Sequence, residues 1–152
     1  MHCGVSENGE EYAYNPDYLA FEGDCANFLS QCLVAGGFTT DSIWYAYSDC
    51  WVNARYLAYY LTGRLGEVGY SAAGLGYGYA AVNSSYSNVY RGNPVYWLNP
   101  VGSSSSGHQM ICVGTNTLGQ PVVNAHTNDA YRMPVSLYAS DHDLYTIYIV
   151  GG

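Results

Sequence analysis

Three residues of this sequence are suited to nucleophilic chemistry: Cys25, His108 and His126. A cysteine thiolate attacks a carbonyl carbon when a neighbouring base takes the thiol proton, and imidazole is the commonest such base in proteins. A third polar group usually holds the imidazole in place. His126 and Asn124 are both candidates for that third position. The question is which elements position these side chains.

Cys25 lies at the start of a predicted helix. Apolar residues at positions 25, 28, 29, 32 and 33 have helical spacing, Asp24 suits the N-cap, and Gly36-Gly37 is expected to end the helix. Unpaired N–H groups of the first turn stabilise an anion, so we expect the Cys25 thiolate to form more easily than that of a free cysteine. The alternative is that a cysteine on an apolar face is core packing, which we assign to Cys32.

The two histidines lie at the ends of two predicted strands, 108–114 and 120–126. If Gly114 pairs with Gln120, the two histidines face each other across a hairpin and project from the same face. A slip of one residue would send one of them to the opposite face. Singly, each histidine is more often a hydrogen-bonded structural residue than a catalyst.

The remaining elements predict an α+β fold. They are a helix from about Cys50 to Leu61 ended by Thr62-Gly63, surface loops over 66–92 with one short helix around 70–82, and strands over 95–98 and 145–150. Helices that precede a small antiparallel sheet are typical of α+β domains, and the helix of Cys25 can pack on one face of that sheet. We expect a single domain over residues 1–152.

The charge and apolar content exclude several classes of partner. The formal net charge is -8, and only four residues are Lys or Arg, so we expect no nucleic-acid and no membrane partner. No apolar run is long enough to cross a membrane and no signal-peptide pattern is present, so we expect a soluble chain that is either cytosolic or already processed. The low Lys and high Tyr, Gly and Ser contents favour an extracellular location.

Eighteen tyrosines and five cysteines are the other unusual features of the composition. Tyrosine combines a flat apolar ring with a polar tip, which suits a groove that stacks on sugars or lies along a peptide; the alternative is that tyrosine replaces phenylalanine throughout the protein. The cysteines are too few and too widely spaced for a disulfide framework, and no CxxC or CxxH pair offers a zinc site. We expect no metal and no cofactor.

Several motifs resemble the putative amidase-like domain family of bacteria. The residues that carry the resemblance are Asn15-Pro16-Asp17-Tyr18, Asp24 to Leu33, Ala35-Gly36-Gly37, Trp44, the helix with Trp51-Val52-Asn53, Tyr96-Trp97, Gly107-His108 and Asn124 to Asp129. The usual form of the central motif is DCTNF(V/I)SQ, and Ala26 stands here where the family has Thr. The similarity covers most of the chain in family order.

The resemblance implies a papain-like fold allied to the NlpC/P60 and CHAP peptidases, which cleave amide bonds in bacterial cell walls. By position, Cys25 is then the nucleophile, His108 the base, and His126 or Asn124 the orienting residue. We assign Tyr18, Asp24 and Trp97 to substrate binding. The implied partner is peptidoglycan or another peptide amide, and the implied location is extracellular or in the cell wall.

Three alternatives belong to other classes. A glycan-binding module would use the tyrosines and leave Cys25 inert. The chain would suit the toxin domain of a larger secreted effector, given the absence of an export signal. A metal site on His108, His126 and Asp129 would leave the position of Cys25 unexplained. The oligomeric state and the scissile bond are left open by the sequence.

Overall fold

A six-stranded antiparallel sheet is the centre of the fold, in a computed structural model that describes residues 24–98, 107–126, 130–139 and 142–150. The strands are β1 (Tyr79–Ala81), β2 (Pro94–Trp97), β3 (His108–Thr115), β4 (Pro121–Ala125), β5 (Ala130–Pro134) and β6 (Leu144–Ile147). Their order is β1-β6-β2-β3-β4-β5. The predicted α+β class is therefore confirmed. β6 inserts between β1 and β2, so the sheet is not a simple meander.

The helix of Cys25 forms as predicted. This helix, α1, spans Cys25–Ala35, and Gly37 follows it with a φ of 107°, a value that favours glycine. Every residue from Cys25 to Leu33 is buried, so α1 is covered on all sides rather than on one apolar face. Its polar side chains must consequently find partners inside the protein.

The predicted second helix is divided in two by Asn53. α2 covers Asp49–Val52 and α3 covers Ala54–Thr62, with Gly63 ending α3 in the left-handed conformation. Asn53 has extended backbone angles, and its side chain accepts hydrogen bonds from the N–H groups of Arg55 and Tyr56. An asparagine that caps a helix in this way breaks one helical pattern into two elements. Within the described ranges, no helix is long and apolar enough to cross a membrane.

Two further expectations about the elements are corrected by the structure. The short helix predicted around 70–82 is absent; a 3-10 helix over Leu65–Val68 precedes the segment, and β1 occupies its end. The strand β5 and the short helix α4 (Ser136–Ala139) were not predicted. β1 has only three residues and β5 has an irregular burial pattern, so neither shows clear period-2 alternation in sequence.

The sheet separates two apolar cores. On one face, Tyr96, Ile111 and Ile147 pack with α1, α2 and α3. On the other face, Val95, Met110 and Val123 belong to a second core, against which Tyr138 and Ala139 of α4 pack. We call these the helix face and the far face. Alternation along each strand decides which face a side chain occupies.

The predicted hairpin register is wrong by two residues at the turn end, where Gly114 pairs with Val122 instead of Gln120, and by one residue beyond the bulge. In the structure Ile111 pairs with Asn124, and the register shifts again at a bulge between Cys112 and Gly114. Continued toward the open end of the hairpin, this register does not place His108 opposite His126. The bulge inserts one residue into β3. Pairing the strands outward from the turn does not predict this insertion.

Candidate active site

The Cys25 thiol lies where α1 meets β3. It is only 8% exposed, and the backbone N–H groups of Gln109, Ala26 and Cys25 itself lie near enough to its sulfur to act on the pKa of the thiol. Two of these donors belong to the first turn of α1, as the sequence predicted. The third comes from β3 because α1 packs on that strand. Such N–H groups also suit an oxyanion that forms beside the sulfur.

The expected low pKa of this thiol is not found. Burial raises the pKa of Cys25 above that of an ordinary thiol, and the Asp24 carboxylate adds to the increase. The three N–H groups act in the opposite direction but are outweighed. A buried thiol with a carboxylate neighbour is protonated at neutral pH, so a base would have to remove its proton during the reaction.

Asp24 and His126 form a buried pair beside Cys25. His126 Nδ1 lies 2.6 Å from Asp24 Oδ2, and both side chains are almost fully buried. His126 also stacks on Phe28 of α1, with ring centroids 4.3 Å apart. A histidine that donates Nδ1–H to a carboxylate has a fixed tautomer and ring orientation, which leaves Nε2 as the nitrogen that can accept a proton.

A chain of hydrogen bonds connects this pair to α2. The Trp51 indole N–H donates to Asn27 Oδ1 at 2.7 Å, and the Asn27 amide donates to Asp24 Oδ1 at 2.8 Å. Asp24 therefore occupies the N-cap position without making a capping bond, because its oxygens bind side chains instead. Sequence patterns alone do not predict a functional role for Asn27 or Trp51. The signal for Asn27 is its spacing of three residues from Asp24 at the start of a helix.

One turn further along α1, a second hydrogen bond between a tryptophan and a polar side chain is not connected to the Asp24–His126 pair. The Trp44 indole N–H donates to Ser30 Oγ at 3.0 Å, and Ser30 donates to the backbone oxygen of Trp51. The two indoles stack with centroids 5.2 Å apart. Buried polar residues of α1 are thus satisfied by tryptophans that sequence inspection treats only as apolar core.

His108 lies on the far face, in a cluster with Trp97 and His142. It pairs across strands with Trp97, and their rings meet edge to face. The ring of Trp97 stacks in turn on His142. Burial, together with a smaller contribution from His142, lowers the pKa of His108 to about 4. His108 is therefore neutral at neutral pH. Its side chain lies on the opposite side of β3 from that of Gln109, which donates a hydrogen bond to the Ala54 carbonyl of α3.

The Asn124 side chain binds the backbone of β5 where the pairing of β4 with β5 is irregular. Its side-chain oxygen accepts a hydrogen bond from the Arg132 backbone N–H at 2.8 Å. It lies opposite Ile111 and borders a cavity next to Cys32, beside the later turns of α1 rather than the first. The structure thus brings Asp24 and His126 together beside Cys25, whereas Asn124 binds elsewhere.

The three residues assigned to substrate binding differ in their environments. Asp24 is 2% exposed and holds His126, so its role in the structure is to position that imidazole. Trp97 is half-buried against His142 on the far face. Tyr18 lies outside the described residues, as does Asp129 of the metal-site alternative. Within the described ranges, no group of three or more His, Cys, Asp or Glu is arranged to hold a metal ion.

A tyrosine-lined cleft opens on the helix face between α3 and the sheet. Its volume is about 140 Å³, and its aromatic lining is Tyr59, Tyr79, Tyr96 and Tyr145. Tyr96 is the cross-strand neighbour of Gln109, so the cleft begins one strand away from the Cys25 sulfur. The Arg64 guanidinium lies over the rings of Tyr59 and Tyr79, 4.2 and 4.5 Å from their centroids.

The protein is therefore an α+β domain. Its candidate active site is a cysteine next to a histidine whose imidazole is bound by a carboxylate. The family described as "Putative amidase domain" matches residues 6–150, and the chain belongs to this family. Membership supports an amidase-type hydrolase. Searches among curated proteins and among solved structures found no significant match.

Proposed function

We propose that this protein is a cysteine-dependent amide-bond hydrolase of papain-like type. The observation that carries the proposal is the placement of Cys25 and the Asp24–His126 pair at the same end of α1. A nucleophile, a base and a carboxylate that orients the base are the groups that covalent hydrolysis of an amide requires. Family membership supports the same type of reaction.

In the proposed mechanism, His126 is the base and Asp24 positions it. His126 takes the Cys25 proton as the sulfur attacks the amide carbonyl, and the N–H groups of Gln109 and Ala26 stabilise the oxyanion. Collapse of the tetrahedral intermediate breaks the C–N bond, and His126 returns the proton to the leaving amine. Water then hydrolyses the thioester, which releases the acid and restores the thiol.

His108 is the second candidate for the base. Two observations favour it: its neighbour Gln109 contacts the Cys25 sulfur, and its lowered pKa keeps it neutral and able to accept a proton. His126 would then orient His108, as in the arrangement that the family resemblance implies. We prefer His126 because it lies on the helix face with Cys25, whereas the partners of His108 are on the far face.

The test compares hydrolysis by matched variants of two buried cysteines of α1. Synthetic cell-wall stem peptides and simple peptide amides are incubated with wild type, Cys25→Ala and Cys32→Ala, and products are quantified by mass spectrometry. We expect Cys25→Ala to lose at least a thousandfold in kcat/KM and Cys32→Ala to stay within threefold. Equal activity of Cys25→Ala and wild type would overturn cysteine dependence.

Chemical labelling provides a second measurement that does not depend on knowing the substrate. Iodoacetamide near pH 8, followed by peptide mapping, reports the reactivity of Cys25, Cys32, Cys50 and Cys112. We expect Cys25 to be alkylated fastest and its rate to fall in His126→Ala. Alkylation at equal rates, independent of His126, would contradict an activated thiol.

The tyrosine-lined cleft supports a second candidate, a glycan-binding module. Tyr79 is 43% exposed, and its ring forms part of a cleft that also holds Arg64. Aromatic faces of this kind stack on sugar rings. Retention of muropeptide binding by Cys25→Ala, with no turnover by wild type, would favour the binding module over the hydrolase.

The substrate and location are proposals of the same kind. We infer peptidoglycan peptides as substrate and the cell wall or extracellular space as location, either for this chain alone or for a larger secreted protein that contains it. The acidic, tyrosine-rich composition supports both. Release of soluble peptides from purified sacculi would test the substrate directly.

A further inference from the structure

A second cavity, larger than the tyrosine-lined cleft, lies at the opposite end of α1 from Asp24. Its volume is about 510 Å³, and its lining includes Cys32, Ala35, Arg91, Asn124, Tyr131 and Arg132. Nothing in the proposed mechanism uses these residues. We call this cavity the arginine pocket.

The charge of the arginine pocket is opposite to that of the protein. The chain has a net charge of -8 and four cationic side chains, all of them arginine, and two of these four border this one pocket. Both Arg91 and Arg132 are exposed. A guanidinium is a planar donor that pairs with carboxylate oxygens through two parallel hydrogen bonds.

The backbone around the pocket is irregular at Arg132, whose backbone and side chain are both held by hydrogen bonds. Arg132 has a φ of 51°, rare for a non-glycine residue, and its N–H binds the Asn124 side chain. Its guanidinium donates to the Thr115 carbonyl at 2.8 Å and lies beside Gly114, whose φ of 144° belongs to the bulge of β3. Bulges and strained residues cluster near functional sites, because they aim side chains that a regular strand would not.

From these observations we propose that the arginine pocket binds a carboxylate, with Arg91 and Arg132 as its charged ligands. The competing explanation is that the two arginines only complement the carbonyl end of α1, which borders the same pocket at Ala35 and carries partial negative charge. That explanation predicts a loss of stability without any ligand affinity.

The position of the pocket relates it to the proposed active site. Cys32 is seven residues after Cys25 on α1, which corresponds to about 10 Å along the helix axis. Two or three residues of an extended peptide span that distance. If the proposed hydrolase function holds, a substrate carboxylate can occupy the pocket while its amide lies at Cys25; otherwise the pocket binds a free carboxylate.

The test measures binding on the native protein with probes that it cannot hydrolyse. Sodium succinate is titrated against the ¹⁵N-labelled protein by NMR, with 1,4-butanediol as the neutral analogue and sodium chloride at matched ionic strength. We expect succinate to bind at least tenfold more tightly than butanediol. We expect the largest shifts among residues 32–36 and around Arg132.

Charge-matched variants locate the binding. Arg91→Gln and Arg132→Gln should each weaken succinate binding at least fivefold, whereas Arg64→Gln, which removes the same charge at the tyrosine-lined cleft, should change it less than twofold. Thermal unfolding verifies that each variant is folded; if Arg132→Gln is not, Arg91→Gln decides alone. Equal affinity for succinate and butanediol, or equal effects of Arg91→Gln and Arg64→Gln, would overturn the proposal.

Kinetics then identify the source of the carboxylate. If it belongs to the substrate, succinate competes with turnover and Arg91→Gln raises KM at least fivefold with kcat nearly unchanged. If it is a separate small molecule, Arg91→Gln leaves KM within twofold. If the protein is not a hydrolase, no turnover is seen but succinate still binds. The two proposals can therefore be tested separately.

Discussion

The two faces of the sheet hold the same residue type in opposite environments. On the helix face, His126 stacks on Phe28 and forms a hydrogen bond with the Asp24 carboxylate. On the far face, His108 contacts Trp97, and the titratable group beside it is another imidazole, that of His142. A carboxylate partner favours a charged imidazole, whereas burial beside another imidazole favours a neutral one. The partner, not the histidine, decides what each can do.

The buried polar groups of the helix face are linked to one another. The helix face carries a connected chain from Trp51 through Asn27 to Asp24. Each bond in that chain fixes the orientation of the next group, so the imidazole is held by atoms several residues away. If this connection makes the helix face the catalytic one, disrupting it should lower the rate of hydrolysis.

The largest expected effect distinguishes the two histidines when each is replaced by alanine. His126→Ala should lower kcat/KM at least a thousandfold, because it removes the proposed base, while His108→Ala should lower it less than tenfold. Rates on a peptide amide substrate measure both, with circular dichroism verifying folding. The reverse order of effects would move the base to His108 and to the arrangement implied by the family resemblance.

A smaller loss is expected from the carboxylate. Asp24→Asn keeps the shape of the side chain but removes the charge that stabilises an imidazolium, so we expect kcat to fall roughly 10⁴-fold, less than on loss of the base, with KM little changed. Asp41→Asn, a carboxylate of the adjoining loop, is the control and should leave kcat unchanged. A purely structural role would instead lower the melting temperature without changing kcat.

The far face should contribute to the acid sensitivity of folding through His108. Because the folded pKa of His108 is lowered to about 4, the unfolded chain binds more protons between that value and about 6.5. The contribution of His108 to stability is therefore lost as pH falls from about 6.5 and levels off below 4, a total of up to about 3 kcal/mol. Urea unfolding of wild type and His108→Gln at pH 7 and pH 4.5 measures this. An unchanged pH dependence in the variant would contradict it.

The smallest effect distinguishes the two buried tryptophans. Trp51→Phe and Trp44→Phe each remove one indole hydrogen bond from a fully buried site and should each cost about 1 to 3 kcal/mol of stability. Since only Trp51 binds Asn27, only Trp51→Phe should also lower kcat, by about 3- to 10-fold. Denaturant unfolding and kinetics on both variants are the measurements. Equal kcat values would show that the chain does not position His126.

Local residues were sufficient to predict much of the scaffold. Asp24, the apolar spacing after it and Gly36-Gly37 predict the limits of α1 because capping, periodicity and glycine freedom act over a few residues. The strands of Tyr96, of the hairpin and of the C-terminal segment were found for the same reason. Asn53 shows the limit of this approach, since its capping of α3 outweighs a continuous helical pattern.

The candidate residues were identifiable by type, but their grouping was not. The sequence points to Cys25, His126 and Asp24 as candidates, yet it predicts that Asp24 caps a helix and binds substrate. The bond that joins Asp24 to His126 spans 102 positions of the chain. No local rule predicts such a contact, because it depends on how α1 packs against the sheet.

The sequence by itself determined which residues are available: a cysteine at a helix start, two histidines at strand ends and an acidic residue before the cysteine. Tertiary structure alone decided which histidine meets the carboxylate and what the thiol pKa becomes. The physical reason is that a strand alternates faces at every residue, so one inserted residue in β3 reassigns side chains to opposite sides of the sheet. Burial of the thiol likewise depends on contacts with β3 that helix spacing does not specify.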